Sequence, residues 1–397
     1  MTAAGYVSAI HILKTHTHED VRIETRAGDR PFQHIIFIGK NGAGKTSTLG
    51  PLAHWLESPH VWQNERNMLD AKKKAFERVS ARQDAAHFQK PLADLEDQLR
   101  MLRDTYGVRA EPAIANEAPM VVHIRPGGGF DAKPVQGPRA ENVQNLKTTS
   151  ALERANFVQY LVNQRFEMLN LREDGKEEAA QALEAWFGAL EDNLSRLLGS
   201  RFTLKFERSP AFRYSLVDEH GHESPLDSLP DGWKALLKVF THLLRVHEAY
   251  GKDPIVDASP CVLIFDEPEL HLHPALQWTV LPTLVALFPQ VQIIAATQSP
   301  IVAASLENAL LFDLSASKEL PTAFGASAET VLVSTFGTQL RENKTAQKLR
   351  MLENLVDEEQ WGEAQKSIDA LSKELPDSDP DLSRITNLME LARALDN

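Results

Sequence analysis

The chain has 397 residues, 43% hydrophobic and 24% charged, an ordinary globular composition with room for one large α/β domain carrying an insertion or for two to three smaller domains. A formal net charge of −13 argues against a broadly basic surface that coats nucleic acid, though a local basic patch is compatible with it. The single cysteine, Cys261, leaves no internal disulfide and no cysteine-based metal cluster to consider, and no apolar stretch is long enough to span a bilayer, so a cytoplasmic protein without membrane contact is expected.

Residues 6–13, 21–25 and 33–38 read as three strands. His16 and His18 fall in the turn between the first two; with no third ligand nearby, a solvated turn is expected rather than a metal site. The third strand feeds Gly39-Lys40-Asn41-Gly42-Ala43-Gly44-Lys45-Thr46-Ser47, which satisfies G-x-x-x-x-G-K-[ST]. Such a loop must wrap a polyphosphate closely enough for backbone N–H groups to point at its oxygens, and glycines permit that approach. Lys45 is then placed to reach the β- and γ-phosphates, the Thr46 hydroxyl to sit on Mg²⁺, and the following helix to turn its positive end toward the same phosphates. Strand, glycine loop and helix is the context the motif requires, so ATP with Mg²⁺ is the expected cofactor pair.

A long charged, glycine-free region follows over 62–106 and contains Lys72-Lys73-Lys74. Phe88, Leu92, Leu95, Leu99 and Leu102 recur at heptad spacing, and Pro91 restarts the helix, which suggests a helical hairpin. That hairpin is either an arm for a partner or a helical insertion on its own domain. Strand character resumes at 120–124, a turn-rich connection covers 126–139, and 150–170 and 177–198 read as amphipathic helices. Leu183, Phe187, Leu190, Leu194 and Leu197 form one stripe, and Gly199 is a C-terminal stop. Residues 201–207 and 212–217 alternate like strands with one wet face.

Residues 261–265 are an unbroken apolar run, as in a parallel strand buried on both faces, and they end in Asp266-Glu267-Pro268-Glu269. Asp266 is placed to hold the Mg²⁺ shell, and Glu267 to polarise a water for in-line attack. His271 and His273 alternate, a pattern assigned to interface or core packing rather than to metal.

The order of these blocks, with Ser228-Leu229-Pro230-Asp231-Gly232-Trp233-Lys234 between them and Ala296-Thr297-Gln298-Ser299-Pro300 after them, resembles the ABC-type ATPases. Within these it is similar to the RecF/SMC/OLD-like branch found in DNA repair and in antiphage defence. The resemblance implies an α/β P-loop NTPase with an ABC-type ATPase head: a mixed sheet with an N-terminal antiparallel β part, a helical insertion and a helical C-terminal region. Leu229 and Gly232 match the signature, and Ser228, Asp231 and Gly232 are its expected phosphate contacts. In that family the signature closes over the nucleotide of the opposite protomer, so a head-to-tail homodimer or higher homo-oligomer is implied. Two departures bear on turnover. Pro230 stands where the family has serine, and Gln298 where it carries the switch histidine, although Gln298 can still hydrogen-bond the γ-phosphate or the water. A Q-loop glutamine is expected among Gln89, Gln136 and Gln144.

Beyond 311 the nucleotide motifs stop. Residues 330–336 read as a short strand or turn, 346–356 and 361–375 as a helical pair, and 382–395 as a last helix, together a partner-docking module or a helical cap. The divisions expected are 1–56 (lobe with the phosphate loop), 57–110 (coiled-coil-like insertion), 111–200 (helical lobe), 201–315 (signature, carboxylate strand and switch) and 316–397 (helical region). No nuclease signature is present. In defence systems of the Septu or PARIS kind such an ATPase works with a separate effector, often a nuclease, which is the partner the resemblance implies. The competing readings are a RecF-like repair ATPase acting directly on DNA and a nucleotide-held scaffold with little turnover.

Overall fold

The computed structural model describes residues 6–15, 17–25, 32–58, 67–68, 71–72, 74, 108–112, 119–127, 129–251, 259–334, 343–376 and 379–395. The heptad at 88–102 and Gln89 lie outside the described residues. The chain divides into two units, 1–331 and 332–397.

The first unit is built on a six-stranded sheet. Its strands include β3 (His34–Ile38), β5 (Met120–Ile124), β9 (Cys261–Asp266), β10 (Val291–Thr297), β11 (Ala309–Asp313) and β12 (Lys318–Leu320). The order is β12-β11-β3-β10-β9-β5, parallel throughout except for the edge strand β12. Every residue of β3, β5, β9 and β10 is buried, which is why these segments are continuous apolar runs rather than alternating ones. Cys261 lies in that core, and burial pushes its thiol well above the usual range.

A second, antiparallel sheet, ordered β2-β1-β4, comprises β1 (Val7–Lys14), β2 (Glu19–Glu24) and β4 (Val108–Pro112). Helix α1 (Lys45–Glu57) is sandwiched between the two sheets. Leu49, Leu52 and Trp55 pack in one core with Ile10 and Ile12 of β1 and with Phe37, Ile264 and Ile294 of the parallel sheet. Trp55 Nε1 donates to Ala110 O at 3.2 Å. The fully buried Gln292 ties the sheets together: its Oε1 accepts from Val7 N at 2.7 Å and its Nε2 donates to Val7 O at 2.8 Å.

The helical lobe holds α2 (Phe157–Glu173) and α3 (Glu177–Leu198), and Gly199 ends α3 in the left-handed conformation expected of it (φ +75°). The single helix expected over 150–170 is broken. One turn, Thr149–Leu152, is followed by a gap in which Phe157 N donates to Asp131 O at 2.8 Å and Asn156 Nδ2 to Asp131 Oδ1 at 3.0 Å. The sheet β6 (Phe202–Glu207), β7 (Arg213–Asp218), β8 (Glu223–Pro225) completes the lobe. Helix α4 (Asp231–Ala249) carries Arg245, 2% exposed, forked between Glu141 and Glu248 at 2.7 and 2.8 Å and lying over Tyr160. Helices α5 (Pro274–Leu287) and α6 (Pro300–Ala304) follow β9 and β10.

The stretch 330–336, read as strand or turn, is helical as far as it is described: α7 (Ala328–Ser334) begins where Ser327 Oγ accepts from Thr330 N at 3.1 Å. The second unit contains α8 (Asn343–Asp357), α9 (Trp361–Leu371) and α10 (Pro380–Leu395), packed through Leu352, Ala364, Ile368, Leu371 and Ile385. Among the described residues no helix is long and apolar enough to cross a membrane.

Two buried histidines make the first unit acid-sensitive. Burial, with help from Arg125 and Lys238, lowers His123 to about 4, and burial followed by Lys238 lowers His242 to about 3. Both rings are neutral when folded, whereas the unfolded chain takes up protons below about 6.5, so stability falls as pH drops from 6.5 toward 4 by about 1.4 kcal/mol per pH unit and ring. His242→Gln should therefore lose less melting temperature than wild type between pH 7 and pH 5. Equal losses in a thermal unfolding series would refute this assignment.

Candidate nucleotide site

Strand β3, hydrogen-bonded on both sides, delivers Gly39 to the carboxyl edge of the sheet. Gly42 (φ +81°) and Gly44 (φ +87°) turn the loop through the left-handed region. At Gly44 the positive φ calls for glycine, and a Cβ there would fall 2.0 Å from Thr17 Oγ1, so the threonine would have to rotate away. Helix α1 then starts at Lys45 with no side-chain cap, leaving its first-turn amides open toward the loop. Lys45 curls back into this cradle, and its Nζ donates to Gly39 O at 2.8 Å and Lys40 O at 3.2 Å. Burial lowers its pKa, opposed by Glu267, Glu269 and Asp266. Thr46 is exposed at the loop mouth.

Two supports hold the loop. Lys40 N donates to Ser315 Oγ at 3.0 Å, while Ser315 N donates to Asp313 Oδ1 at 2.7 Å. His18 Nε2 lies 2.8 Å from Ala43 O and its Nδ1 lies 3.2 Å from Ser317 Oγ. With Nε2 carrying the proton, the ring donates to the loop carbonyl and accepts from the serine. The expectation of a solvated turn is corrected here: His18 is buried against the glycine loop. His16 lies outside the described residues.

Register brings the carboxylates to the same edge. Phe37, Ala296 and Asp266 are paired across β3, β10 and β9, so Asp266 ends its strand two strands from the start of the glycine loop, roughly 10 Å at ordinary strand spacing. Asp266 is 2% exposed, and neither carboxylate oxygen accepts a hydrogen bond. Burial raises its pKa; the Thr46 hydroxyl pulls the other way without meeting hydrogen-bond geometry, Glu267 adds to the rise, and Lys45 opposes it. A buried, unpartnered carboxylate beside a hydroxyl is a donor set that suits a hard cation.

Glu267 occupies the left-handed region (φ +53°), a strained place for a non-glycine residue, pinned by its N–H donating to Ala296 O at 2.9 Å. Glu269, which ends the acidic run, ties two segments together. Its Oε2 accepts from Thr297 Oγ1 at 2.7 Å and its Oε1 from Gln298 N at 2.8 Å, locking the segment after β9 to the segment after β10. The Gln298 side chain is exposed. His273 is the N-cap of α5, its Nδ1 accepting from Ala275 N at 3.3 Å.

The segment read as the signature starts beside the carboxylate edge of the same protomer, where Asp231 lines a cavity with Asp266 and Glu267. Leu229 is buried, Pro230 is the N-cap of α4, and Ser228 Oγ donates to Pro225 O at 3.2 Å rather than capping the helix. A Cβ on Gly232 would meet His271 O at 2.8 Å, so α4 packs against the turn after Glu267. Asp231 is exposed at the start of α4. Of the glutamines considered, Gln136 lies in the loop after β5; the residue that follows β5 directly is Arg125, which lines a cavity with Asp266 and Glu267.

Residues 133–304 match the family described as "AAA domain, putative AbiEii toxin, Type IV TA system". The chain is 24% identical over 345 residues to "Septu protein PtuA" of Bacillus mycoides (strain KBAB4), covering 83% of this chain and 44% of that protein. It is 27% identical over 179 residues to "Retron Ec83 probable ATPase" of Escherichia coli, covering 43% and 32% respectively. The chain thus spans less than half the length of these curated relatives. Among solved structures, an SMC head bound to the C-winged helix domain of ScpA aligns with a TM-score of 0.39 at 11% identity, over 80% of this chain and 95% of that one. Over these spans the chain is similar to Septu PtuA and to the retron ATPase.

Because burial outweighs Lys45 at Asp266, the carboxylate is a liability without a ligand; an unmet buried acceptor costs about 1–3 kcal/mol. Asp266→Asn should raise the melting temperature of the nucleotide-free protein by about 2–4 °C. A lowered value would show that the Lys45 attraction dominates.

Proposed function

We propose that the chain binds ATP with Mg²⁺ in the 39–47 loop and hydrolyses it, that two protomers close head to tail around the nucleotides, and that this cycle controls a separate effector, of nuclease type, in cytoplasmic antiphage defence. The observation carrying the proposal is the convergence of Lys45, Asp266 and Glu267 at one sheet edge, from positions more than 200 residues apart in the chain. Gly39, Lys40, Asn41, Gly42, Ala43 and Gly44 provide backbone around the phosphates, with Lys45 and Ser47 beside them. Thr46 and Asp266 would hold the metal, whose contribution is charge neutralisation on the triphosphate. Glu267 orients and deprotonates the attacking water, and Gln298, positioned through Glu269, contacts the γ-phosphate side. The exposed start of α4, with Ser228, Asp231 and Gly232, offers uncapped amides to the nucleotide of the second protomer.

The defence setting and the effector rest on the similarity to Septu PtuA and the retron ATPases. Pro230, which brings no hydroxyl, and Gln298, which takes no charge, favour one further reading: slow turnover, with nucleotide acting chiefly as a clamp. Direct action on DNA would show as DNA-stimulated turnover lost with salt.

Three measurements decide. Lys45→Ala should abolish ATP binding. Glu267→Gln should lower kcat about 10²–10³-fold while leaving ATP affinity within a few-fold; equal, slow rates in wild type and variant would place the chain with the clamps. In Glu267→Gln, Mg·ATP should shift the mass from the 44.3 kDa protomer to twice that value. A protomer at saturating nucleotide would refute closure.

A further inference from the structure

Next to the carboxylate edge, on the side away from the glycine loop, lies a cavity of about 260 Å³ between the end of β5, the start of α4 and the end of β9. One face of α4 lines it, presenting Asp231, Lys234, Ala235 and Lys238 at helical i, i+3, i+4, i+7 spacing. Arg125, directly after β5, lines it as well, and Asp266 and Glu267 form the opposite wall.

Lys238 is the anomaly. It is 3% exposed, and its Nζ is buried without a hydrogen-bond partner. An ammonium hidden from water and unpaired is costly, and such groups are retained where something else pairs with them. Nearby groups do not resolve the cost. Burial lowers the Lys238 pKa, Glu153 opposes this without a hydrogen bond to it, and Arg125 adds to the lowering; His123 and His242, the neighbouring imidazoles, stay neutral, so an anion in the cavity is what would hold the ammonium form. None of Arg125, Lys234 and Lys238 has an ion-pair partner among the described residues.

We propose that this cavity is an oxyanion site for inorganic phosphate, held by Lys238 and Arg125 with Lys234 at the rim, next to Glu267. A tetrahedral anion fits the volume, whereas a nucleoside triphosphate with its base and ribose does not. The anion sits at the Lys238 and Arg125 end of the cavity, since Asp266 and Glu267 repel it from the opposite wall and Asp231 from the start of α4. Binding itself requires nothing of the phosphate loop. Its meaning as a holding place for the product phosphate leaving the Glu267 side rests on the ATPase reading.

The test is calorimetric titration of the full chain with inorganic phosphate against chloride of equal ionic strength, in a Lys45→Ala background that removes the glycine loop as a competing site. Phosphate binding should survive Lys45→Ala, fall about tenfold or more on adding Lys238→Met, and fall several-fold on adding Arg125→Gln. Loss of binding with Lys45→Ala alone, unchanged affinity in the other two, or equal competition by chloride would each overturn the proposal. Should Lys238→Met fail to fold by circular dichroism, Arg125→Gln at an exposed position and Lys234→Gln at a half-buried one carry the test, and unchanged affinity in both overturns it. Phosphate binding without any ATP hydrolysis would sink the ATPase reading while leaving the site in place.

Discussion

The first unit depends on the shared register of β3, β10 and β9. All three are buried on both faces, so none can slip without breaking a continuous ladder within the apolar core. The parallel pairing ends each strand at the same edge, and there the chain leaves the sheet as the glycine loop, the acidic turn and the Gln298 segment. The site is therefore not assembled by its own contacts. It is where three strands run out, and the core beneath fixes its geometry.

What the core does not fix, short polar links do. Glu269 joins the turn after β9 to the segment after β10 through Thr297 and Gln298, so motion of one segment is transmitted to the other. Glu267 is held in a left-handed conformation by its amide bond to β10. His18 and Ser315 brace the glycine loop from the antiparallel sheet and from the segment after β11. Against these satisfied groups, Asp266 and Lys238 stand out as buried ionisable side chains whose terminal atoms have no hydrogen bond, both lining the cavity beside Glu267. Stability has been forgone at both places, as expected where a ligand supplies the missing partner.

Much of this was legible in the sequence because steric demands write themselves into residue types. Gly44 belongs to a spaced glycine motif whose turn needs a positive φ; the apolar run ending at Asp266 reads as a doubly buried strand; Gly199 marks the end of α3. The illegible parts depend on contacts between distant segments. His18 reads as a turn residue until the antiparallel sheet folds it onto Ala43. The break before α2 is imposed by Asp131 across a loop, while the local periodicity runs straight through it. Residues 330–333 contain β-branched side chains that suggest a strand, and Ser327, by capping the preceding turn, makes them helical. Glu269 was visible as part of a motif, but its partners lie 28 and 29 residues away, at the end of β10 and just after it. Lys238 reads as an ordinary helix-surface lysine, because nothing local reveals that its face is covered.

In the function proposed above, the glycine loop and the carboxylate strand serve one metal-bound triphosphate. Calorimetric titration with ATP, with and without Mg²⁺, on wild type and Asp266→Ala tests it most directly. The account predicts one site per protomer, markedly tighter with Mg²⁺ in the wild type, and loss of that Mg²⁺ dependence in the variant. No heat in any arm, or identical Mg²⁺ dependence in both proteins, would contradict it.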